Sequence, residues 1–213
     1  QYSNSSPAWS DGKEGIGRKK EIRNIKEKFR SDRRFMLLGA SRSGKSSLLR
    51  YVENVLAKDT EYLTVLNEIN PVKNVCTILI SNYAPGNSLT QTLIAEPIAL
   101  AAQGGGKGYY NDELSSTITA AYDEFNNSTL SEDSRTRTFL NKVSRALEVH
   151  DAEIWILYDE FQNALKNYTD PATIASLKSY FDGNVYNMSR IRFAICGADK
   201  MVTTVECELG GEW

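Results

Sequence analysis

One segment constrains the fold of this chain more than any other, the octapeptide Gly39-Ala40-Ser41-Arg42-Ser43-Gly44-Lys45-Ser46. It matches the pattern G-x-x-x-x-G-K-[ST] at every fixed position. A short apolar run, Phe35 to Leu38, comes directly before it, and the segment 46–57 after it has apolar residues at helical spacing. The sequence therefore predicts a buried strand, a tight loop and a helix, in that order.

The chemistry of this phosphate loop (residues 39–46) follows from its residue types. Glycine lets the backbone turn its N–H groups inward around an anion, and the helix that begins near Lys45 adds its positive N-terminal end. Lys45 supplies a cation to the β and γ phosphates, and the Ser46 hydroxyl can ligate Mg²⁺. We therefore predict that the loop binds Mg²⁺-ATP or a close relative. The predicted nucleotide contacts in this segment are Gly39, Ala40, Ser41, Arg42, Ser43, Gly44, Lys45, Ser46 and Ser47.

Apolar runs and helical patterns alternate along the chain. Four runs predict strands, at 35–38, 75–80, 154–158 and 191–196. Helical periodicity covers 19–30, 46–57, 89–102, 112–126, 136–149 and 171–181. Strands that are apolar throughout and separated by helices indicate a parallel sheet covered on both faces, in an α/β fold. The glycine-rich stretch 103–108 is predicted to hold no regular structure.

Two adjacent carboxylates follow the third predicted strand. Asp159 and Glu160 come directly after the run 154–158, and ligands of open α/β sheets gather at the carboxyl ends of strands. A bound triphosphate needs a carboxylate near its metal and a group that activates water. Asp159 is therefore the predicted magnesium ligand together with Ser46, and Glu160 is the predicted catalytic residue together with Lys45.

Composition narrows the classes of function. The formal charge of −2 gives no global attraction for nucleic acid, and the single histidine, His150, excludes a multi-histidine metal site. No run approaches the roughly 18 apolar residues of a membrane span, and the polar N-terminus lacks the apolar stretch of a signal peptide. Cys76, Cys196 and Cys207 are widely spaced, which favours buried thiols in a reducing compartment. We predict a cytoplasmic chain with no membrane partner.

With these motifs in place, the chain resembles P-loop ATPases of the AAA+ and STAND group, which includes archaeal-type and origin-recognition-type ATPases. The segment Gly15-Ile16-Gly17-Arg18-Lys19-Lys20-Glu21 resembles the G-R-x-x-E box before the first strand of those families. The segment Asp159-Glu160-Phe161-Gln162 resembles their D-E-[FA]-Q ending. The resemblance covers about residues 15–200.

The resemblance implies a three-layer P-loop NTPase fold, with a mostly parallel sheet and helices on both faces. The strand that ends at the carboxylates would be separated from the strand before the phosphate loop by one other strand. Ile16, Gly17 and Arg18 would lie against the adenine. Separately, residues 1–14 are rich in Ser, Asn and Gly with a Pro, which predicts a linker or arm. The resemblance implies that 15–213 is an ATPase domain truncated before any lid or winged helix.

The resemblance also implies residues that read the γ-phosphate. Asp199 is the nearest polar candidate after the fourth strand for a phosphate sensor. Arg190 and Arg192 precede that strand and are candidates for an arginine acting on a neighbouring copy, with simple solvated charges as the alternative.

Three functions stay open on the sequence. The first is Mg²⁺-dependent ATP hydrolysis by a module that switches its conformation or oligomeric state, as in signalling or defence, with further copies or domains outside this chain as partners. The second is the ATPase part of a DNA-associated protein, origin-recognition-like or a loader, whose nucleic-acid contacts lie in other domains. The third is a scaffold that binds nucleotide without hydrolysing it.

Overall fold

The computed structural model describes residues 18–31, 34–40, 42–66, 74–83, 88–166 and 189–197. The predicted arm 1–14, Ile16, Gly17, Ser41, the helix 171–181, Asp199 and Cys207 lie outside the described residues.

Five strands form one sheet. They are β1 (Arg34–Leu38), β2 (Asn74–Ile80), β3 (Lys107–Gly108), β4 (Ala152–Tyr158) and β5 (Ile191–Gly197). Their order across the sheet is β1-β5-β4-β2-β3, with β1, β5, β4 and β2 parallel and β3 antiparallel to β2. β5 therefore lies between β1 and β4, as expected from the resemblance. All four predicted strands are confirmed, each within one or two residues at its ends.

All five of the predicted helices that lie within the described residues are present. Together with shorter helices they cover the sheet in this part of the chain. The α-helices are α1 (Lys19–Ser31), α2 (Lys45–Asn54), α3 (Thr60–Leu66), α4 (Glu96–Leu100), α5 (Asp112–Asn127), α6 (Glu132–Val149) and α7 (Gln162–Leu165). The helix predicted at 89–102 contains α4 flanked by two π-helical turns, Gln91–Ala95 and Ala101–Gly105. None of the described helices combines the length and the apolar character needed to cross a membrane.

The sheet has a hydrophobic core on each face because successive strand residues point to opposite sides. Along β4, Trp155 and Leu157 pack with α1, α2 and α3. Ile154, Ile156 and Tyr158 pack with α4, α5 and α6. Every residue of β4 is buried, which explains its continuous apolar run. The predicted three-layer α/β architecture is confirmed.

The prediction for 103–108 was wrong, since this stretch ends a helix and forms the edge of the sheet. Gly104 ends the π-helical turn in the left-handed region, with φ 87°, and Lys107–Gly108 pairs with β2. A Cβ on Gly106 would lie 2.6 Å from the carbonyl oxygen of Thr77, and one on Gly108 2.4 Å from that of Val75. Glycine is required here because the backbones approach too closely for any side chain.

Candidate nucleotide-binding site

The carboxyl ends of three parallel strands bring together the described part of the phosphate loop and the two predicted carboxylates. The phosphate loop follows β1, Asp159 follows β4, and Cys196 lies at the end of β5 between them. In the sheet register Cys196 is opposite Leu37 of β1, and Ile195 is opposite Tyr158 of β4. Segments far apart in sequence thus meet at the carboxyl ends of the parallel strands.

Within the phosphate loop, Lys45 reaches back across the backbone that precedes it. Its Nζ donates hydrogen bonds to the carbonyl oxygens of Gly39 and Ala40, both at 2.8 Å, and lies 3.5 Å from Ser43 Oγ. The ammonium group is therefore held inside the loop, and the residue is only 8% exposed. A buried cation with three polar oxygens around it is placed where an anion in the loop would meet it.

The start of α2 offers free backbone donors to the same place. Gly44, the N-cap residue, has φ 85° and no side chain to accept from the first turn, and no acidic side chain lies there. The first N–H groups of α2, at Lys45, Ser46 and Ser47, have no acceptor within the helix, and they add to the positive end of its dipole. This is the donor arrangement that binds phosphate groups at helix N-termini.

The turn after β4, called here the carboxylate turn (residues 159–163), holds Asp159 in a fixed position. The Asp159 N–H donates to the Ile80 carbonyl oxygen at 2.8 Å, and its Oδ1 accepts from the Glu160 N–H at 3.0 Å. Phe161 is tied to β5, since its N–H donates to the Cys196 carbonyl oxygen at 2.8 Å. The Asp159 carboxylate is 9% exposed and Glu160 is exposed.

Glu160 adopts a backbone conformation that side chains disfavour. Its φ is 51°, in the left-handed region, where a non-glycine residue costs on the order of 1 kcal/mol. The cost is offset by the turn around it, because the Asn163 N–H donates to the Glu160 carbonyl oxygen at 2.8 Å. Such strain concentrates at functional sites, and the residue that carries it here is exposed.

The sequence analysis assigned no role to two residues that support the predicted carboxylates, Gln162 within the carboxylate turn and Tyr83 beside it. Gln162 Nε2 donates to the Glu160 carboxylate, and the Tyr83 hydroxyl donates to the Asp159 carbonyl oxygen at 2.7 Å. Burial raises the pKa of Tyr83, and the negative charge of Asp159 adds to that effect, so the hydroxyl keeps its proton. Gln162 stood in the quoted motif without a role, whereas no local signal marks Tyr83, 76 residues from its partner.

Cys196 is the third residue that the sequence analysis did not place in the site. It is completely buried, and burial, reinforced by the nearby Asp159 carboxylate, raises the pKa of its thiol to about 12. Lys45 lies close enough to act in the opposite direction. The side chain at this strand end is therefore a neutral thiol facing Asp159, while the predicted sensor Asp199 lies outside the described residues.

Oxygen donors suited to Mg²⁺ are present at the predicted positions. Ser46 lies in the first turn of α2, after β1, and Asp159 directly follows β4 at the same end of the parallel strands. Mg²⁺ prefers oxygen ligands and takes only one or two from protein when it also binds phosphates and water. The residues thus fit this ion, and no cluster of three or more His, Cys, Asp or Glu offers another metal site in the described part of the chain.

Arg18 lies against the phosphate loop. Its guanidinium donates through Nη2 to the Ser43 carbonyl oxygen and through Nη1 to Glu21 Oε1, the latter at 3.2 Å. The predicted contact of Arg18 with adenine stays a prediction, and the backbone contact is an addition to it.

The structure corrects the interpretation of Arg192, which is neither a solvated charge nor an arginine available to a neighbouring copy. It is 6% exposed, and its Nε and Nη2 donate to the two carboxylate oxygens of Glu153 at 2.7 and 3.2 Å. Its Nη1 donates to the Phe29 carbonyl oxygen at 2.9 Å. Arg190 lies at the same end of β5, where it pairs with Asp151 at 3.5 Å. Both arginines lie at the amino-terminal end of β5, whereas the phosphate loop follows the carboxyl end of the neighbouring strand β1.

The fold and the site geometry place this chain in the class of α/β proteins with a P-loop NTPase fold. Among solved structures, it is similar to the ORC2 protein of Aeropyrum pernix, determined as ADPNP-ADP complexes. The two share 13% sequence identity with a TM-score of 0.54, over 92% of this chain and 45% of that one. The chain thus spans less than half the length of that protein. No protein-family model and no curated protein matches the chain.

Proposed function

We propose that this chain binds Mg²⁺-ATP and hydrolyses it, as a module that switches its conformation or oligomeric state. The observation that carries the proposal is the meeting of Lys45, Asp159 and Glu160 at one edge of the sheet, with β5 between β1 and β4. The complex in which the ORC2 structure was determined, with ADPNP and ADP, supports a nucleotide as the ligand.

Each residue has a distinct role in the proposed reaction. The N–H groups of residues 42–47 and the Lys45 ammonium would hold the β and γ phosphates and oppose the charge that develops on them. Ser46 and Asp159 would hold Mg²⁺, which neutralises phosphate charge when bound. Glu160 would accept a proton from the water whose oxygen attacks the γ-phosphorus, as the bond from that phosphorus to the β-phosphate oxygen breaks.

The surroundings of Glu160 suit this role. The residue is exposed, so water can reach its carboxylate, and the Gln162 amide fixes the orientation of the group. Asp159, by contrast, is buried and tied to β2 and to its own turn. One carboxylate is thus fixed for a metal and its neighbour is open to solvent for proton transfer.

The test is ATP hydrolysis measured across a series of protein concentrations, for the native chain and for Glu160→Gln. We expect the native rate per protein to rise with concentration if copies share a site, and the variant to bind ATP but lose turnover. Glu148→Gln is the matched control, since Glu148 is exposed near the end of α6 and away from the phosphate loop. Tight ATP binding without turnover at any concentration would instead favour the nucleotide-binding scaffold. Unchanged ATP affinity in Lys45→Ala would refute nucleotide binding at this loop.

A second candidate is favoured by the fold similarity to an ORC2 protein, namely the ATPase part of an origin-recognition-like or loader protein that works on DNA. Cations project from α1, including Lys19, Lys20 and Arg23, which are exposed. DNA affinity that falls steeply with rising salt would support this candidate. Absence of DNA binding at low salt would count against contacts made by this chain.

A further inference from the structure

Arg18 contacts the phosphate loop at the peptide group that joins Ser43 to Gly44. Its Nη2 donates to the Ser43 carbonyl oxygen, and the approach is close enough that a Cβ on Gly44 would lie 3.1 Å from that nitrogen. Glu21, one turn along α1, holds the other guanidinium nitrogen at 3.2 Å. The guanidinium is thus oriented between a carboxylate and the loop backbone.

The geometry of the peptide group links this contact to the inside of the loop. In a planar trans peptide, the carbonyl oxygen of one residue and the N–H of the next point in opposite directions. The Arg18 contact with the Ser43 oxygen therefore fixes the direction of the Gly44 N–H. Gly44 has φ 85°, in the left-handed region, and it has no side chain that could restrain this peptide group.

α1 fixes Arg18 relative to the sheet. Ile22, Ile25 and Phe29 on one side of this helix are buried in the core, and the Phe29 carbonyl oxygen accepts a hydrogen bond from Arg192. The helix spans 13 residues, or about 20 Å at 1.5 Å per residue. It is anchored near its far end and presents Arg18, the residue just before its first turn, to the loop.

We propose that Arg18 is a positioning residue of the phosphate loop, which holds the Ser43–Gly44 peptide so that the Gly44 N–H is directed at bound phosphate. The inference rests on the proposed function and deepens it. The contact involves loop backbone only, so the effect of Arg18 is on the phosphate groups of the ligand and does not depend on the base. If Arg18 contacted only the adenine, its loss would weaken the binding of ATP and leave the binding of a phosphate chain without a base unchanged.

The experiment compares two ligands, ATP and inorganic tripolyphosphate, which has the phosphates but no base. Their dissociation constants are measured by titration calorimetry for the native chain, Arg18→Ala and Arg18→Lys. Lys20→Ala is the matched control, because it removes an exposed positive charge from the same end of α1. Thermal unfolding of each variant checks that the chain remains folded.

We expect Arg18→Ala to weaken both ligands by the same factor, about tenfold or more, since a hydrogen bond to a charged group is lost. Arg18→Lys is expected to recover part of the affinity, because one ammonium cannot replace the two-pronged contact. The Gly44 amide resonance should shift in Arg18→Ala and stay in place in Lys20→Ala.

Two results would overturn the proposal. Loss of ATP affinity with unchanged tripolyphosphate affinity would assign Arg18 to the base. An equal loss in Lys20→Ala would reduce the effect to general charge. Failure of the proposed function is recognised separately, because the native chain would then bind neither ligand, or Lys45→Ala would bind them as well as the native chain does.

Discussion

Replacing Arg192 by alanine would strand a buried carboxylate, and the structure gives the size of the effect. The Glu153 side chain is 1% exposed and receives two hydrogen bonds from Arg192 and one, at 2.9 Å, from Trp155 Nε1. The same arginine also donates to the Phe29 carbonyl oxygen of α1. The variant would remove three hydrogen bonds and leave an uncompensated charge beneath this helix.

The expected loss of folding free energy is about 3–5 kcal/mol, the range for breaking one partner of a buried ion pair. Three hydrogen bonds to charged groups at about 1.5–3 kcal/mol each would give more. The site can relax around the lost side chain, so the lower range applies. For a chain of 213 residues, about 2–4 °C per kcal/mol predicts a fall in Tm of roughly 6–20 °C.

The assay is urea unfolding followed by circular dichroism, with Arg137→Ala as the control. Arg137 donates to Asp133 at 2.9 Å, a distance similar to that of the buried pair, but the two side chains are 48% and 53% exposed. The exposed pair should contribute no more than about 1 kcal/mol. If Arg192→Ala costs no more than Arg137→Ala, the reasoning from burial is refuted.

A double variant separates the charge from the packing. Glu153→Leu combined with Arg192→Met removes both charges and keeps most of the volume, so it should cost less than Arg192→Ala alone. Some cost remains, because Trp155 Nε1 and the Phe29 carbonyl oxygen lose their partners. If the double variant is less stable than Arg192→Ala, the ion pair itself stabilises the fold, and the cost of Arg192→Ala does not come mainly from the unpaired Glu153 charge.

Three further predictions concern the sheet edge, the carboxylate turn and the thiols. Gly108→Ala should destabilise the chain by more than Gly104→Ala, measured in the same urea assay, because both have positive φ but only the former clashes with a backbone oxygen; similar losses would contradict this. Tyr83→Phe should lower the rate of ATP hydrolysis severalfold with ATP affinity unchanged, since about 1 kcal/mol of support for the turn is lost; an equal effect on affinity would argue against that role. Burial raises the pKa of Cys76 to about 11, so in a Cys207→Ser background the remaining thiols should not react with a thiol reagent at pH 8 until the chain unfolds. Rapid labelling of the native chain would refute this expectation. The Cys76 thiol keeps its proton to higher pH in the folded state than in the unfolded state, so its contribution to stability is full below pH of about 8.5 and is lost as pH rises towards 11.

Much of the fold could be predicted because its signals are local. The four parallel strands appear as continuous apolar runs, and the helices appear through their 3.6-residue periodicity. Helix starts were less accurate: α6 begins at Glu132, four residues before its prediction, because Ser131 caps it by accepting from the Ser134 N–H. The glycine-rich stretch 103–108 was predicted to be irregular, because a sequence does not show how closely two backbones pass and hence where glycine is needed within a sheet.

The sequence by itself determined the parts of the site that are contiguous. The spacing of Gly39, Gly44 and Lys45 within eight residues sets the loop, and Asp159 and Glu160 are adjacent after one strand. Such parts need only local backbone geometry, which residue types dictate. These segments were therefore predictable, together with the α/β class.

The tertiary structure alone decided how those parts are supported. The contacts of Arg18 with Ser43, Tyr83 with Asp159 and Arg192 with Phe29 join residues 25, 76 and 163 positions apart. No residue pattern marks such pairs, because the distance between them is set by strand order, by register and by the packing of α1 on the sheet. The tertiary structure therefore places Arg18 against the backbone of the phosphate loop and Arg192 in a buried ion pair with Glu153.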